Sequence, residues 1–267
     1  MNYEKHERLL TIENLGLQYG EKVILRDINL HVDNIVRPGM SQGQVVALLG
    51  LSGSGKTQLF RCIAGLQQPS AGAVRLNDNK HMVQAGEIGV VQQAYPLLQH
   101  RTVWSNLMLT LGTHKIDRKK GEEEAARLLG HFGVYEKRAN YPLELSGGQR
   151  QRVAIIQQLL CANYFLLMDE PFSGLDVVAK ERVYDTIRTV STANELNTLI
   201  FTTHDLEAAV TLADEIWVLG READKPGATI VKRIDLAERG LAWTPDIQRH
   251  PQYYPTVLEL KELFTSL

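Results

Sequence analysis

Gly50-Leu51-Ser52-Gly53-Ser54-Gly55-Lys56-Thr57 stands between two apolar runs. Val45-Val-Ala-Leu-Leu49 before it has the composition of a buried strand, and Gln58-Leu-Phe-Arg-Cys-Ile-Ala64 after it reads as the opening of a helix. A G-x-x-x-x-G-K-[ST] octapeptide in that setting predicts a phosphate-binding loop. Glycines let the backbone curl so that successive N–H groups point at one anion. The helix N-terminus adds unpaired donors and the positive end of its dipole. Lys56 supplies a point charge for β- and γ-phosphates, and the Thr57 hydroxyl is suited to Mg²⁺.

Working outward, Tyr164-Phe-Leu-Leu-Met168 is a continuous apolar run ending in Asp169-Glu170, the pattern of a central parallel strand. Thr198–Thr202 reads as another strand, with His204 just beyond it, and Glu215–Leu219 as a third. Helical patterns fall at Val103–Leu111, Gly121–His131, Gly148–Leu160, Val178–Thr192 and Leu206–Leu212. Strands alternating with helices predict an α/β domain with a largely parallel sheet, whose ligands sit at the carboxyl ends of strands. The octapeptide, Asp169 and His204 all follow strands, so the pattern brings them to one rim. Upstream, Leu9–Leu15 and Val23–Val32 read as strands around a turn at Tyr19-Gly20-Glu21, and short strands are expected at Gly72–Leu76 and Glu87–Val91. Asn34 to Gly43 is expected to be a long surface loop. Beyond Ala228–Arg233, the prolines Pro245, Pro251 and Pro255 interrupt regular structure, and a short amphipathic helix is expected from Pro255 to Phe264.

The chain has 267 residues, a formal net charge of −2 and 44% apolar residues, which fits a globular protein with no general pull toward nucleic acid. Cys62 and Cys161 are far apart, form no C-x-x-C, and are expected to be inert thiols within helices in a reducing compartment. The charged start Met1–Arg8 has no signal-peptide core, and no run approaches the roughly eighteen apolar residues of a membrane span.

Several residues carry more than one reading. Asp169 suits Mg²⁺ beside Thr57; Glu170 reads either as a base for an attacking water or as a carboxylate at a helix start. Ser146 and Gln149 have the spacing of a capping box, but the intervening Gly147 and Gly148 bare the backbone N–H groups and create a second anion site at a helix N-terminus. One nucleotide has no need of two such sites in one chain; a nucleotide shared between two chains has. Tyr19 either stacks on a base or packs at a hairpin end. His204 is either structural or within reach of a γ-phosphate.

The octapeptide, the stretch LSGGQRQRVA (Leu145–Ala154), the strand FLLMDEP (Phe165–Pro171) and the turn TTHD (Thr202–Asp205) occur in the order found in ABC-transporter ATPase subunits, which the chain resembles over about residues 9–220. The resemblance implies a P-loop NTPase core with a mostly parallel sheet, an N-terminal antiparallel β subdomain and an inserted helical subdomain at about 94–161. It implies one ATP-binding domain over 1–236, with 237–267 a tail of the same unit. Tyr19 is similar to the adenine-stacking aromatic, Gly50 through Thr57 to the phosphate loop, Asp169 to the magnesium-side acid, Glu170 to the base acting on water, and His204 to the γ-phosphate switch. Gln93 resembles the glutamine that senses Mg²⁺, water and the membrane partner. Ser146, Gly147, Gly148 and Gln149 resemble the signature that touches the ATP of the other subunit, and Asp176 the loop that crosses the dimer interface. ATP and Mg²⁺ are the implied cofactors. The implied partners are a second copy or a homologous ATPase subunit, transmembrane permease subunits and a solute-binding protein, with no nucleic acid. The implied location is peripheral, on the cytoplasmic face of the inner or plasma membrane.

The short form of the chain, and the stretch Asp205–Asp214 with its following hairpin, lean toward a bacterial importer of a small polar solute, similar to the nitrate, sulfonate and taurine or polar amino-acid groups. Gln92, Gln99, Gln157 and the length of the 34–42 loop depart from the family pattern. A metabolite kinase shares the phosphate loop and acids but has no use for Ser146–Gln149. A repair, chromosome or ribosome ATPase of the same head carries coiled coils, zinc modules or a second ATPase domain, none of which is legible here.

Overall fold

The computed structural model describes residues 3–36, 43–76, 81–91, 96–114, 116–161 and 164–267. The strands are β1 (Glu4–Tyr19), β2 (Lys22–Val36), β3 (Gln44–Gly50), β4 (Ala71–Leu76), β5 (His81–Met82), β6 (Gly89–Val91), β7 (Phe165–Met168), β8 (Thr198–Thr203), β9 (Glu215–Arg221) and β10 (Ala228–Asp235). The helices are α1 (Lys56–Ile63), α2 (Val103–Thr113), α3 (Arg118–His131), α4 (Gly147–Leu159), α5 (Val177–Ala193), α6 (Leu206–Leu212) and α7 (Tyr253–Ser266). All ten strands form one sheet in the order β5-β4-β1-β2-β10-β9-β3-β8-β7-β6.

The mixed α/β fold expected from the motif order is present. β9, β3, β8, β7 and β6 run parallel, while β2, β1, β4 and β5 pair antiparallel. The antiparallel strands belong to the same sheet, because Ala228 of β10 pairs in parallel with Leu25 of β2 and β10 pairs antiparallel with β9.

Strand side chains alternate between two faces, and the core divides accordingly. Val45, Ala47, Leu49, Leu166, Met168, Leu199, Phe201, Ile216 and Val218 pack on one face with α2 to α7. Val46, Leu48, Phe165, Leu167, Ile200, Trp217 and Leu219 pack on the other, with Leu59, Phe60, Cys62 and Ile63 of α1 and the apolar face of β1 and β2. Burial on both faces is why β3 is apolar without a break.

Three expectations need correction. Asn34–Val36 were assigned to a loop but extend β2, paired with β1 through Ile35 and Val36 opposite Lys5 and Glu4. Register shifts in that hairpin break the period-2 pattern by which a strand is recognised. The remainder of that loop, 37–42, lies outside the described residues. Helix α7 begins at Tyr253, with Pro255 inside its first turn, where a missing N–H costs no intrahelical bond. Cys161 lies just past the end of α4, half-buried, whereas Cys62 is buried in α1. Burial pushes the Cys62 thiol up to about 11 and raises Cys161 too.

The C-terminal segment is packed onto the first face: Leu241, Ile247, Tyr253 and Leu260 are buried in the core with α6. Asp214, itself buried, accepts from the Val45 N–H at 2.8 Å and from Trp243 Nε1 at 2.6 Å, so one carboxylate joins sheet and tail. No helix among the described residues is long and apolar enough to cross a membrane.

Candidate functional site

Three neighbouring strands end side by side. Leu49 of β3 is opposite Thr203 of β8, and Met168 of β7 is opposite Phe201. Their carboxyl ends therefore deliver Gly50–Gly55, Asp169-Glu170 and His204 to one rim.

The loop itself is tight. At Gly50 a Cβ would lie 2.6 Å from Ser54 Oγ and 2.9 Å from the Leu219 carbonyl oxygen. Gly55, the N-cap of α1, has φ +106°, a region open to glycine alone without strain. Lys56 is 7% exposed and folds back into the curl: Nζ donates to the carbonyls of Gly50 (2.8 Å) and Leu51 (3.2 Å) and pairs with Glu170 Oε1 at 3.2 Å. Ser54 Oγ is buried inside the loop with no hydrogen-bond partner. A buried hydroxyl without a partner is costly, and here it sits in the curl with the lysine ammonium, the polar lining a phosphate requires. Leu51, by contrast, is 44% exposed, and Ser52 and Gly53 are exposed beside it.

Thr57 Oγ1 is 3.5 Å from Asp169 Oδ2. A hydroxyl and a carboxylate oxygen side by side are hard donors of the kind Mg²⁺ takes, so the residues fit that ion. Asp169 Oδ1 accepts from Thr202 Oγ1 at 2.6 Å, and the same hydroxyl accepts the Glu170 N–H at 2.9 Å. Glu170 has φ +46°, unusual for a residue with a side chain. Its carboxylate lies between Lys56 and His204, whose Nδ1 is 2.9 Å from Oε2. A carboxylate only accepts, so Nδ1 carries the proton in this contact, on a side chain that is 60% exposed. Tyr19, half-exposed at the end of β1, accepts a bond from Gln67 Nε2 at 2.6 Å.

Ser146 caps α4 in the anticipated box. Its Oγ accepts from the Gln149 N–H (3.3 Å), and its N–H donates to Gln149 Oε1 (2.9 Å). Asp176 caps α5, accepting from the Ala179 N–H at 2.7 Å. Among the described residues no hydrogen bond or ion pair joins Ser146–Gln149 or Asp176 to the phosphate loop. Gln93 lies outside the described residues. The strand leading to it is tied to α4 by Gln158, whose Oε1 accepts the Val90 N–H at 3.1 Å. Sequence reasoning assigned no part to Gln158 or Thr202. The available signal for Thr202 was a hydroxyl at the carboxyl end of a fully buried strand, which has to find a partner.

A family model described as ABC transporter matches residues 34–173. The nitrate import ATP-binding protein NrtD of Synechocystis is 34% identical over 249 residues, covering 91% of this chain and 89% of that protein. This chain belongs to the ABC transporter family. It is an ATP-binding subunit. The sulfate/thiosulfate import ATP-binding protein CysA of Synechocystis is 38% identical over 213 residues; the match covers 79% of the ABC subunit but 58% of that longer protein. In fold, the ABC subunit is similar to cbiO1 of Clostridium perfringens, part of the ABC transporter complex cbiONQ, with a TM-score of 0.73 at 24% identity over 96% of this chain and 100% of the other.

Proposed function

We propose that this subunit is the ATP-hydrolysing engine of a bacterial importer of a small polar solute, and that two ATPase subunits share each nucleotide. The observation that carries the reading is the pair Gly147 and Gly148. Both lie in the first turn of α4 with ordinary helical backbone, and a Cβ at either would meet nothing within 4 Å. The chain itself has no need of glycine at these positions, yet they leave a helix N-terminus stripped of side chains, open to close approach by an anion held elsewhere. Beside each motif expected at an interface stands an exposed large apolar residue: Leu143 before Ser146, Val177 and Val178 after Asp176, and Leu51 in the phosphate loop.

In this reading loop 50–57 binds the phosphates, Tyr19 stacks on the base, and Ser146–Gln149 of the second subunit closes over the γ-phosphate. Thr57 and Asp169 would hold Mg²⁺, with Gln93 the third group, and the ion would supply positive charge to the phosphates. Glu170 orients the attacking water. Lys56 leaves it for the phosphates once nucleotide enters, and His204 holds it from the other side. ATP favours the closed pair and ADP the open one, and that difference in affinity moves permease subunits through the helices between Gln93 and Tyr141. The names of the nitrate and sulfate relatives support import and a polar solute. The subunit works on the cytoplasmic face of the membrane, held there by its partners.

The test is Glu170→Gln. The variant binds ATP, turns it over at least ~10²-fold more slowly, the range expected for loss of a general base, and migrates as a dimer on gel filtration only with ATP. Near-normal turnover removes Glu170 from its role; a monomer at saturating ATP removes the shared nucleotide.

A further inference from the structure

We propose that the Thr202 hydroxyl is a positioning group for hydrolysis: it grips Asp169 and the backbone of Glu170 together, and so sets where the magnesium-side acid and the water-directing acid stand. This deepens the proposed ATPase function and rests on it.

Thr202 is the penultimate residue of β8 and is fully buried, as is every residue of that strand. The parallel pairing of β7 with β8 sets Phe201 opposite Met168, which places the Thr202 side chain beside the turn that follows β7. A hydroxyl has one proton to give and lone pairs to accept with. Here the accepting side is taken by the Glu170 N–H at 2.9 Å, so the proton goes to Asp169 Oδ1 at 2.6 Å. That short separation is typical of a hydroxyl donating to an ionised carboxylate. With Oδ1 fixed, Asp169 has its other oxygen, Oδ2, directed to Thr57 Oγ1. The second bond acts on geometry of a different kind: Glu170 adopts φ +46°, a conformation that persists only where surroundings impose it. The bond to Thr202 holds that residue's N–H, and the resulting turn places its carboxylate between Lys56 and His204.

Packing alone has no use for the oxygen. Valine has nearly the same shape, carries no desolvation cost in a strand this buried, and continues the apolar pattern of Leu199, Ile200 and Phe201. What valine lacks is the bridge. Groups that orient metal-ligating carboxylates typically change metal affinity or activity by about 10–100-fold when removed.

The experiment compares Thr202→Val with Thr202→Ser in the full chain. A fluorescent ATP analogue is titrated with and without Mg²⁺, the half-saturating Mg²⁺ concentration is recorded, and steady-state ATP turnover gives kcat and KM separately. Thr202→Val is expected to raise half-saturating Mg²⁺ by about 10–100-fold and lower kcat, while metal-free nucleotide affinity stays within about twofold; Thr202→Ser, which keeps the hydroxyl, remains close to the parent. A Thr202→Val protein with parental Mg²⁺ dependence overturns the inference, as does a Thr202→Ser protein as impaired as Thr202→Val. Should Thr202→Val melt early or fail to fold, Thr202→Ala serves as the hydroxyl-free variant under the same criteria. If the parent protein shows no Mg²⁺-dependent gain in nucleotide affinity, the ATPase reading itself falls. If the parent shows it and the hydroxyl-free variants half-saturate at the parental Mg²⁺ concentration, Thr202 alone loses its role.

Discussion

Glycine inside an α-helix costs up to about 1 kcal/mol relative to alanine, and the ABC subunit opens α4 with two in succession, Gly147 and Gly148. Nothing inside the chain offsets that cost, since neither residue has a positive φ or a close neighbour. Gly148→Ala is therefore expected to hold or raise the melting temperature of the isolated subunit while lowering ATP turnover, because in the proposed pairing the added methyl would occupy the approach of the second subunit's nucleotide. A thermal melt and a turnover assay on one sample decide it; a stabilised variant with undiminished turnover means that nothing approaches there. At this scale the sequence was readable wherever bonding is local. The box of Ser146 with Gln149 and the curl from Gly50 to Thr57 each close within a few residues. Thr202 was not readable, because its carboxylate partner is 33 positions away and its task exists only once β7 and β8 are neighbours. The left-handed backbone of Glu170 was hidden for the same reason.

Among the elements, those recognised from sequence carry one simple period. β3 and β7 are continuous apolar runs because both faces are covered. β2 was cut short because its hairpin with β1 is bulged and its last residues alternate without a clear apolar side. Helix α7 was recognised but its anchoring was not, since that depends on charges from two other segments. Glu259 of α7 accepts from Arg239 Nη1 at 2.6 Å and also pairs with Lys232 of β10. The Arg239 hydrogen bond, with that of Lys232 and the charges of both, lowers the Glu259 carboxyl from its usual 4.5 to about 2. A pKa depressed by folding contributes stability that is fully present above the unfolded value and is lost as pH falls through the folded one. The contribution is thus complete above about pH 4.5 and fades between there and about pH 2. Glu259→Gln should lower the denaturant midpoint at pH 7, with the gap from the parent closing across that acid window. A gap that stays constant down to pH 2.5 would mean that packing, not the charge, is what the substitution removed.

For the whole molecule, the sheet with its two covered faces accounts for most of the apolar sequence, and some of what it leaves uncovered stands beside the motifs proposed to face a second subunit. Val177 and Val178 open α5 directly after Asp176 and are 77% and 64% exposed. Within the subunit these side chains bury little, so substituting them changes its stability by no more than about 0.5 kcal/mol, the usual range for surface positions. In the proposed closed pair the loop ending at Asp176 would lie against the second subunit, and a charge introduced beside it would have to be desolvated without a partner. Val177→Glu, made in the Glu170→Gln background so that ATP is not consumed, is therefore expected to keep the melting temperature and nucleotide affinity of the monomer and to lose the ATP-dependent dimer. Light scattering at a fixed ATP concentration reads the association, and a fluorescent nucleotide titration under dilute conditions reads the monomer. If the dimer forms as before, the exposed valines face solvent in the working assembly and the second subunit docks elsewhere. Loss of nucleotide affinity in the dilute monomer would instead place Val177 in the architecture of the subunit's own phosphate site, to which no hydrogen bond or ion pair among the described residues joins Asp176.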